Sequence, residues 1–264
     1  MGACPPLKDL IAVFDNITDI DYLKYHYDRF VMTKGRVLET WLTPEKNRML
    51  DVGAHWLHQS VIYAMDGFKV TAADFPVTFN EEIIQKTASS YGITLFPYQD
   101  LSQESVFASI PDNSFDLIMF TEVLEHITFN PVAMWKSIYR VLAPGGRIII
   151  TTPNFYDLDG KFWNFKRTIE RMGGGIPVHE ILHKDNFAPH WKEYCAREIR
   201  QYFTLLSPDF FVNRLDYVSV PYSTEENTKV KKKLRECFGI LRNNLYAEID
   251  LPGKSEGITL QPGW

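Results

Sequence analysis

The chain has 264 residues, of which 45% are hydrophobic, and these values suit one α/β domain with additions around a large buried core. The formal net charge of −5 argues against a dedicated nucleic-acid binder, which usually carries a basic excess. Three widely spaced cysteines, no secretion signal and no apolar run near the ~18 residues that cross a bilayer favour a cytoplasmic protein without a membrane span.

The first 47 residues are predicted to form a helical cover. Apolar and aromatic residues recur at helical spacing between residues 5 and 42, with polar residues between them. Tyr25 and Arg29 lie four positions apart and share a helix face. They either reach a cofactor or acceptor from this cover or, in the more ordinary role, serve core packing or a surface ion pair.

Residues 48–154 alternate short apolar strands with helices, at the spacing of a βαβ fold. We predict strands at residues 48–53, 68–73, 93–98, 114–120 and 147–152, with helices at residues 58–65, after an Asn80 cap and after Asn130-Pro131. This alternation predicts a mainly parallel sheet with right-handed crossovers. Such sheets bind ligands outside the carboxyl ends of their strands, so function is expected there.

The alternation stops after residue 154. Residues 155–195 are rich in aromatic side chains and histidines and are predicted to form a lid, because long irregular segments in compact domains are usually functional or mobile. Residues 196–264 are assigned to the rest of the α/β core and a tail, with a helix at 197–206 and strands at 210–220 and 245–251. A capping box from Ser223 to Glu226 predicts a further helix that reaches about Leu241, with residues 229–235 as a solvated basic face.

A glycine turn and two aspartates follow the first two strands. Asp51 and Gly53 lie between a strand and a helix, where Gly53 permits a tight turn and the helix N-terminus can face a carboxylate or phosphate. Asp74 ends the next strand, and a carboxylate there can accept both hydroxyls of an adenosine ribose. An ordinary turn with a helix-capping aspartate explains the same residues, so the pattern alone leaves both interpretations open.

Polar side chains also follow the third and fourth strands. Asp100 either accepts a hydrogen bond from an amino group, as adenine offers, or caps a turn. Glu122, Glu125 and His126 follow the fourth strand and offer acid, base or metal-ligand chemistry. The alternative is a polar helix start with one buried histidine, but the position at a strand end favours function.

Six motifs in register resemble the class I S-adenosylmethionine-dependent methyltransferases. They occupy residues 50–53, 70–74, 99–101, 115–126, 142–146 and 152–154. The resemblance implies a Rossmann-like sheet of seven strands, the last antiparallel, and S-adenosylmethionine as the cofactor. It also implies that Gly53 and Ala54 back the methionine part, Asp74 the ribose, Asp100 and Leu101 the adenine, and Thr121 the amino group.

The first loop departs from the family pattern. Where the family usually carries Gly-x-Gly-x-Gly, His55 and Leu57 replace the second and third glycines. The His55 side chain either crowds the cofactor or contacts it or the acceptor, and His55 and Asp51 are included among the predicted cofactor-binding residues. The missing Gly-x-Gly-x-x-Gly fingerprint argues against a nicotinamide enzyme.

His126 and His190 are the candidates for the catalytic base. A neutral imidazole can take a hydroxyl proton as the methyl group moves. Residues 190–199 are similar to a segment that follows the fifth strand in family members acting on sugars, lipids and natural products, so residues 155–195 are expected to be an acceptor-side lid. A structural histidine that holds this lid is the alternative for His190, and His179 and His183 have no assigned role.

Four of these residues also suit a metal-dependent reaction. Glu122, Glu125, His126 and His190 resemble the metal ligands of the small-RNA 3′-terminal 2′-O-methyltransferases and of the ubiquinone-pathway O-methyltransferases. The same Glu-x-x-Glu-His pattern occurs in many members that function without metal, so no metal is predicted.

The sequence therefore predicts O-methylation of a small-molecule, sugar or lipid-linked hydroxyl by S-adenosylmethionine. No nucleic-acid partner is expected. Two alternatives stay open: a metal-assisted RNA 2′-O-methyltransferase, and a non-catalytic module that binds an adenosyl ligand.

Overall fold

The computed structural model of the chain describes residues 2–14, 20–40, 45–160, 162, 169, 175–176, 178–184, 189–220 and 229–263. Their centre is one sheet of seven strands, in the order β3-β2-β1-β4-β5-β7-β6. Neighbouring strands are parallel except that β7 runs antiparallel to both β5 and β6. The predicted seven-stranded Rossmann-like sheet is thus confirmed, including its antiparallel last strand.

The elements follow the predicted alternation closely. The strands are β1 Arg48–Val52, β2 Lys69–Asp74, β3 Thr94–Pro97, β4 Phe115–Thr121, β5 Leu142–Pro153, β6 Phe211–Val218 and β7 Asn244–Leu251. The helices are α1 Leu7–Phe14, α2 Ile20–Thr40, α3 His58–Ala64, α4 Pro76–Phe79, α5 Glu82–Tyr91, α6 Val132–Val141, α7 Val178–His183, α8 Ala196–Leu206 and α9 Lys229–Cys237, with 3₁₀ turns at Leu124–His126 and Gly239–Leu241. None of the described helices combines the length and apolarity that a bilayer crossing needs.

The central strand β4 explains where the core lies. All seven of its residues are buried, as expected for a strand covered on both faces by helices. Ile118 and Phe120 point into one hydrophobic cluster, and Leu117 and Met119 point into a second cluster on the opposite face. Residues of the N-terminal helices α1 and α2 belong to this second cluster, which places both helices on that face of the sheet.

Four predicted boundaries are corrected by the structure. Asn80 does not cap α5, because it ends the short helix α4 and Glu81 precedes α5. Pro131 stands just before the first helical residue, and the Asn130 Oδ1 atom accepts a hydrogen bond from the Val132 N–H. Strand β5 begins at Leu142 rather than residue 147, with a register shift against β4. The helix predicted to reach Leu241 ends at Cys237, and its capping box at residues 223–226 lies outside the described residues.

A buried histidine joins the N-terminal cover to the sheet. His58, on α3, is 2% exposed, and its ring stands edge-on to Phe14 with centroids 4.6 Å apart. Within the described part of the chain, neither of its ring nitrogens has a hydrogen-bond partner. Burial, together with His55 and Arg29, lowers the pKa of His58 to about 3. The folded protein therefore keeps His58 neutral.

We expect the His58→Leu variant to be more stable than the parent by roughly 1 kcal/mol at pH 7, because it removes a buried polar ring without partners. Between pH 6.5 and about 3, His58 is protonated in the unfolded chain but stays neutral in the folded chain. Protons therefore stabilise the unfolded state, and the parent loses stability as the pH falls. The variant should lose less over that range. Urea unfolding at several pH values tests this, with His183→Leu at an exposed histidine as the control.

Candidate functional site

The first strand ends in a buried aspartate that organises the loop after it. Asp51 is 1% exposed, and its carboxylate accepts hydrogen bonds from Gln59 Nε2 at 2.9 Å and Ser60 Oγ at 2.7 Å. Gln59 also bonds to the Thr121 hydroxyl at the end of β4. Burial raises the pKa of Asp51 to about 6. Asp51 and Gln59 therefore link β1, α3 and β4 through hydrogen bonds within the protein.

The first loop keeps the backbone conformation that glycine favours, although two of its positions are not glycine. Gly53 has a φ of 74°, and His55 and Leu57 have φ values of 47° and 64°. Residues other than glycine rarely adopt this left-handed region. His55 and Leu57 therefore keep the backbone conformation of the loop at a cost in conformational energy. A Cβ atom on Gly53 would lie 2.6 Å from Val123 Cγ2, so glycine is required there on two grounds.

A cavity of about 370 Å³, the apolar cavity, opens beside this loop. Its lining includes Gly53, Asp74, Phe75, Tyr98 and Leu101. The Asp74 carboxylate accepts hydrogen bonds from the N–H groups of His55 and Phe75, both at 2.6 Å. Desolvation raises the pKa of Asp74. A carboxylate at the rim of an aromatic slot suits a ribose with an attached heterocycle.

Asp100 stands apart from these cavities. It is exposed, and its carboxylate accepts hydrogen bonds from the Ser102 N–H and Gln103 Nε2, each at 2.8 Å. It is absent from the walls of the apolar cavity, which its neighbour Leu101 does line. A role for Asp100 in binding adenine stays a prediction.

A second, small cavity of about 50 Å³ lies behind the loop. Gly53, Ala54 and Thr121, all predicted cofactor residues, line it together with Arg29 from α2. Arg29 is 3% exposed, and its Nη1 atom lies 3.8 Å from Glu122 Oε1. The sequence interpretation favoured packing or an ion pair for Arg29. The structure shows an ion pair, but a buried one and not one at the surface, and the guanidinium lines the small cavity.

A third, acidic cavity of about 400 Å³ lies on the side of the predicted lid. Its charged wall contains Glu122, Glu125, Asp157, Asp159 and Glu193, and no lysine or arginine lines it among the described residues. His126 and His190 also line it, so the structure brings both candidate bases together.

Part of the predicted basic face supports this cavity from behind. Arg235 is 5% exposed, and its Nη2 atom lies 2.6 Å from Asp157 Oδ1 and 2.9 Å from Asp159 Oδ2. The solvated-face interpretation is therefore wrong for Arg235, because this residue anchors the two aspartates of the wall.

The two histidines meet edge to face. Their ring centroids are 4.9 Å apart, with planes at 89°. His126 Nδ1 lies 3.2 Å from the Pro189 carbonyl oxygen. Because a carbonyl can only accept, we assign the proton to Nδ1, which leaves the basic lone pair on Nε2. The N–H groups of Trp191 and Lys192 donate to the Glu125 carbonyl at 2.6 and 3.3 Å, which ties this stretch to the 3₁₀ turn.

Glu125 is the most deeply buried acid of the site. It is 0% exposed, and its Oε2 atom accepts a hydrogen bond from Thr152 Oγ1 at 3.0 Å. Its Oε1 atom has no hydrogen-bond partner among the described residues. Burial, with a contribution from Glu122, raises the pKa of Glu125 well above its usual range. One ligand atom each from Glu125, His126 and His190 lies within 4.8 Å of the others, so this trio also has the donor set and spacing to hold a cation.

Tyr22 and Glu122 line all three cavities, and His126 lines the apolar and acidic cavities. The importance of Tyr22 is not evident from sequence, where it looks like one of several aromatics on an amphipathic helix. Its spacing of seven from Arg29 is the signal that puts both on one face of α2.

Comparison with known proteins identifies this architecture. Residues 50–150 match the family model of a methyltransferase domain. The chain is 33% identical over 109 residues to a ubiquinone biosynthesis O-methyltransferase of Xanthomonas oryzae pv. oryzae; the match covers 40% of this chain and 43% of that protein. The chain thus spans less than half the length of the curated relative that it matches.

Two solved structures share the fold over nearly the whole chain. A protein from Pyrococcus horikoshii OT3 has a TM-score of 0.56 at 16% identity, covering 92% of this chain and 98% of that one. A SAM-dependent methyltransferase from Aquifex aeolicus has a TM-score of 0.52 at 14% identity, covering 94% and 99%.

The strand order and the ligand cavity at the strand ends define a Rossmann-like domain of the methyltransferase type. With the matched family model, they identify residues 50–150 as a class I S-adenosylmethionine-dependent methyltransferase domain. S-adenosylmethionine is the cofactor of this class, and the resemblance drawn from the sequence is confirmed. The roles of individual residues remain proposals.

The Gly53→Ala variant should lose roughly 1–2 kcal/mol of stability from the left-handed backbone alone. The clash with Val123 should also move the loop, so the thermal stabilisation by S-adenosylhomocysteine should shrink. Gly253→Ala is the matched control, since a Cβ there meets nothing within 4 Å. A Gly53→Ala protein that matches the parent in stability and in S-adenosylhomocysteine binding would contradict the predicted role of Gly53 in the cofactor site.

Proposed function

We propose that this chain transfers the methyl group of S-adenosylmethionine to a hydroxyl of a small-molecule, sugar or lipid-linked acceptor. The observation that carries the proposal is the meeting of the apolar and acidic cavities at His126. A ligand in one cavity and an acceptor in the other would face each other there.

The fit of the cofactor rests on this chain's own side chains. The apolar cavity would hold the adenosine, with Asp74 accepting the ribose hydroxyls and Leu101 against the base. The small cavity would hold the amino-acid part, with its carboxylate towards Arg29 and its amino group near Thr121. When bound, the cofactor supplies a methyl group that its sulfonium already activates.

The protein's own work is alignment and proton removal. Walls that hold both molecules in line can contribute roughly 7–11 kcal/mol to lowering the barrier. His126 would take the hydroxyl proton at Nε2, because its Nδ1–H is directed at the Pro189 carbonyl. His190 stands edge-on to His126 and would keep that ring in place.

The acidic cavity indicates which acceptors fit. The side-chain oxygens of this wall accept hydrogen bonds, and no lysine or arginine among the described residues lines the cavity to attract an anion. An uncharged acceptor with several hydroxyl groups therefore matches this wall. The wall and the net charge of −5 both disfavour RNA. The relative named as a ubiquinone biosynthesis O-methyltransferase supports an oxygen as the methylated atom. A cytoplasmic location stays a prediction.

Incubation with radiolabelled S-adenosylmethionine and a small acceptor panel tests the proposal. The panel contains catechol, methyl glucoside and a short RNA with a free 3′ end. Label in the catechol or the sugar supports O-methylation of a small acceptor. Label in RNA alone would favour the RNA alternative, and binding of S-adenosylhomocysteine without any label transfer would favour the non-catalytic module.

A metal-assisted version of the same reaction is a second candidate, favoured by the cluster of Glu125, His126 and His190. A divalent cation there would act as a Lewis acid on the acceptor oxygen. Calorimetric titration of Mn²⁺ into the chelator-treated protein tests it, because the Glu125→Gln variant should then bind the ion more weakly than the parent. The absence of any binding isotherm in the parent would remove this candidate.

A further inference from the structure

Two residues stand where the three cavities meet. Tyr22 and Glu122 line the apolar, small and acidic cavities alike. In S-adenosylmethionine the sulfonium sulfur joins the adenosyl half to the amino-acid half and carries the methyl group. With those halves in the apolar and small cavities and the methyl group towards the acidic cavity, Tyr22 and Glu122 would be the residues beside the sulfur.

The two side chains offer what a cation favours. The ring of Tyr22 presents a π face, which attracts a positive charge electrostatically. Glu122 brings a carboxylate, and the Asn244 Nδ2 atom donates a hydrogen bond to its Oε1 at 3.0 Å. Arg29 lies 3.8 Å from that carboxylate and lines the small cavity, but neither of the other two cavities.

The backbone at Glu122 is an independent sign of function. Its φ of 55° is left-handed, a conformation that side chains avoid. The Glu122 N–H donates to the Thr151 carbonyl at 2.8 Å, which fixes the turn in this state. Strained residues of this kind concentrate at ligand clamps and active sites.

We propose that Tyr22 and Glu122 sense the charge on the cofactor sulfur, so that the site prefers the sulfonium to the neutral thioether product. This inference rests on the proposed function. Methyl transfer would break the bond from the methyl carbon to the sulfonium sulfur and form the bond from that carbon to the acceptor oxygen. The hydroxyl proton would pass to His126, and a thioether without charge would remain. The attraction at the junction disappears with that charge, and the product is released more readily.

Binding measurements test the inference without any acceptor. Calorimetry gives separate dissociation constants for S-adenosylmethionine and S-adenosylhomocysteine. The parent should prefer the sulfonium, and Glu122→Gln and Tyr22→Leu should each reduce that preference by about five- to tenfold, mainly by weakening S-adenosylmethionine. Tyr22→Phe keeps the ring and should keep the preference. Glu82→Gln removes an exposed acid outside all three cavities and should leave the ratio of the two constants unchanged.

The other outcomes are distinguishable. Equal weakening of both ligands in Glu122→Gln would assign that residue a structural role and overturn the inference. A parent that binds the thioether as tightly as the sulfonium would overturn it as well, while the proposed function would stand. If the parent binds neither ligand, the proposed function itself fails.

Discussion

Replacement of His126 by alanine should lower methyl transfer by about 10²–10⁴-fold, the usual contribution of a positioned general base. The reason is its place: His126 lines both the apolar and the acidic cavity, and its Nδ1 is held at the Pro189 carbonyl with Nε2 left basic. Turnover is measured with labelled cofactor on whichever panel acceptor the parent methylates. His190→Ala should have a smaller effect, since His190 lines the acidic cavity without reaching the apolar one.

Cofactor binding is the control for both histidine variants. Thermal stabilisation by S-adenosylhomocysteine should persist, and at about 100 times the dissociation constant it amounts to about 2.7 kcal/mol. A His126→Ala protein that loses this stabilisation would place the imidazole on the cofactor side. Turnover within a factor of three of the parent would instead show that another group accepts the proton.

The centre of the sheet was predictable from sequence because its strands are short apolar runs bounded by a turn or a cap. Phe115–Thr121 shows this best, since a continuous run buried on both faces is typical of a central parallel strand. Element ends were less predictable. The prediction that Asn80 caps α5 was wrong, because Asn80 follows the last residue of the four-residue helix Pro76–Phe79. So short a helix has no hydrophobic periodicity by which the sequence could reveal it.

The backbone conformation of the first loop was not predictable from its residue types. Two of the family's glycines are replaced here, yet residues 53, 55 and 57 all have the left-handed backbone that glycine favours. Surrounding contacts impose this path: the Gly53 N–H donates to the Ala73 carbonyl at 2.9 Å, and the His55 N–H donates to Asp74. A sequence motif depends on the types of side chain, whereas these hydrogen bonds are donated by the backbone. The motif therefore could not predict them.

Residues far apart in the chain were the hardest to place. Tyr22 and Arg29 come from the N-terminal cover, and Asn244 comes from the last strand, yet all lie around Glu122. Only the antiparallel insertion of β7 beside β5 brings Asn244 to this point. Spacing along one helix or strand carries no information about such a meeting.

The strand pair that delivers Asn244 depends on a buried ion network, and breaking it should cause the largest loss of stability. Arg147 on β5 lies 2.7 Å from Glu248 on β7, and both side chains are almost wholly buried. Arg147 Nη2 also donates to Asp250 Oδ2 at 2.9 Å. The Arg147→Met variant would leave Glu248 buried without its main counter-charge. We expect it to lose about 3–5 kcal/mol of unfolding free energy, measured by urea denaturation.

The double variant Arg147→Met/Glu248→Met separates the ion pair from the packing. Removing both charges leaves no unpaired buried carboxylate, so most of the stability lost in the single variant should return. Strand β7 would then still present Asn244 to Glu122, and S-adenosylhomocysteine binding should return with it. A single variant as stable as the parent would mean that the hydrogen bond from the Tyr246 hydroxyl to Glu248, 3.0 Å long, and its neighbours suffice to hold the charge. The β5–β7 pair would then owe its stability to its apolar faces, and the junction at Glu122 would not depend on Arg147.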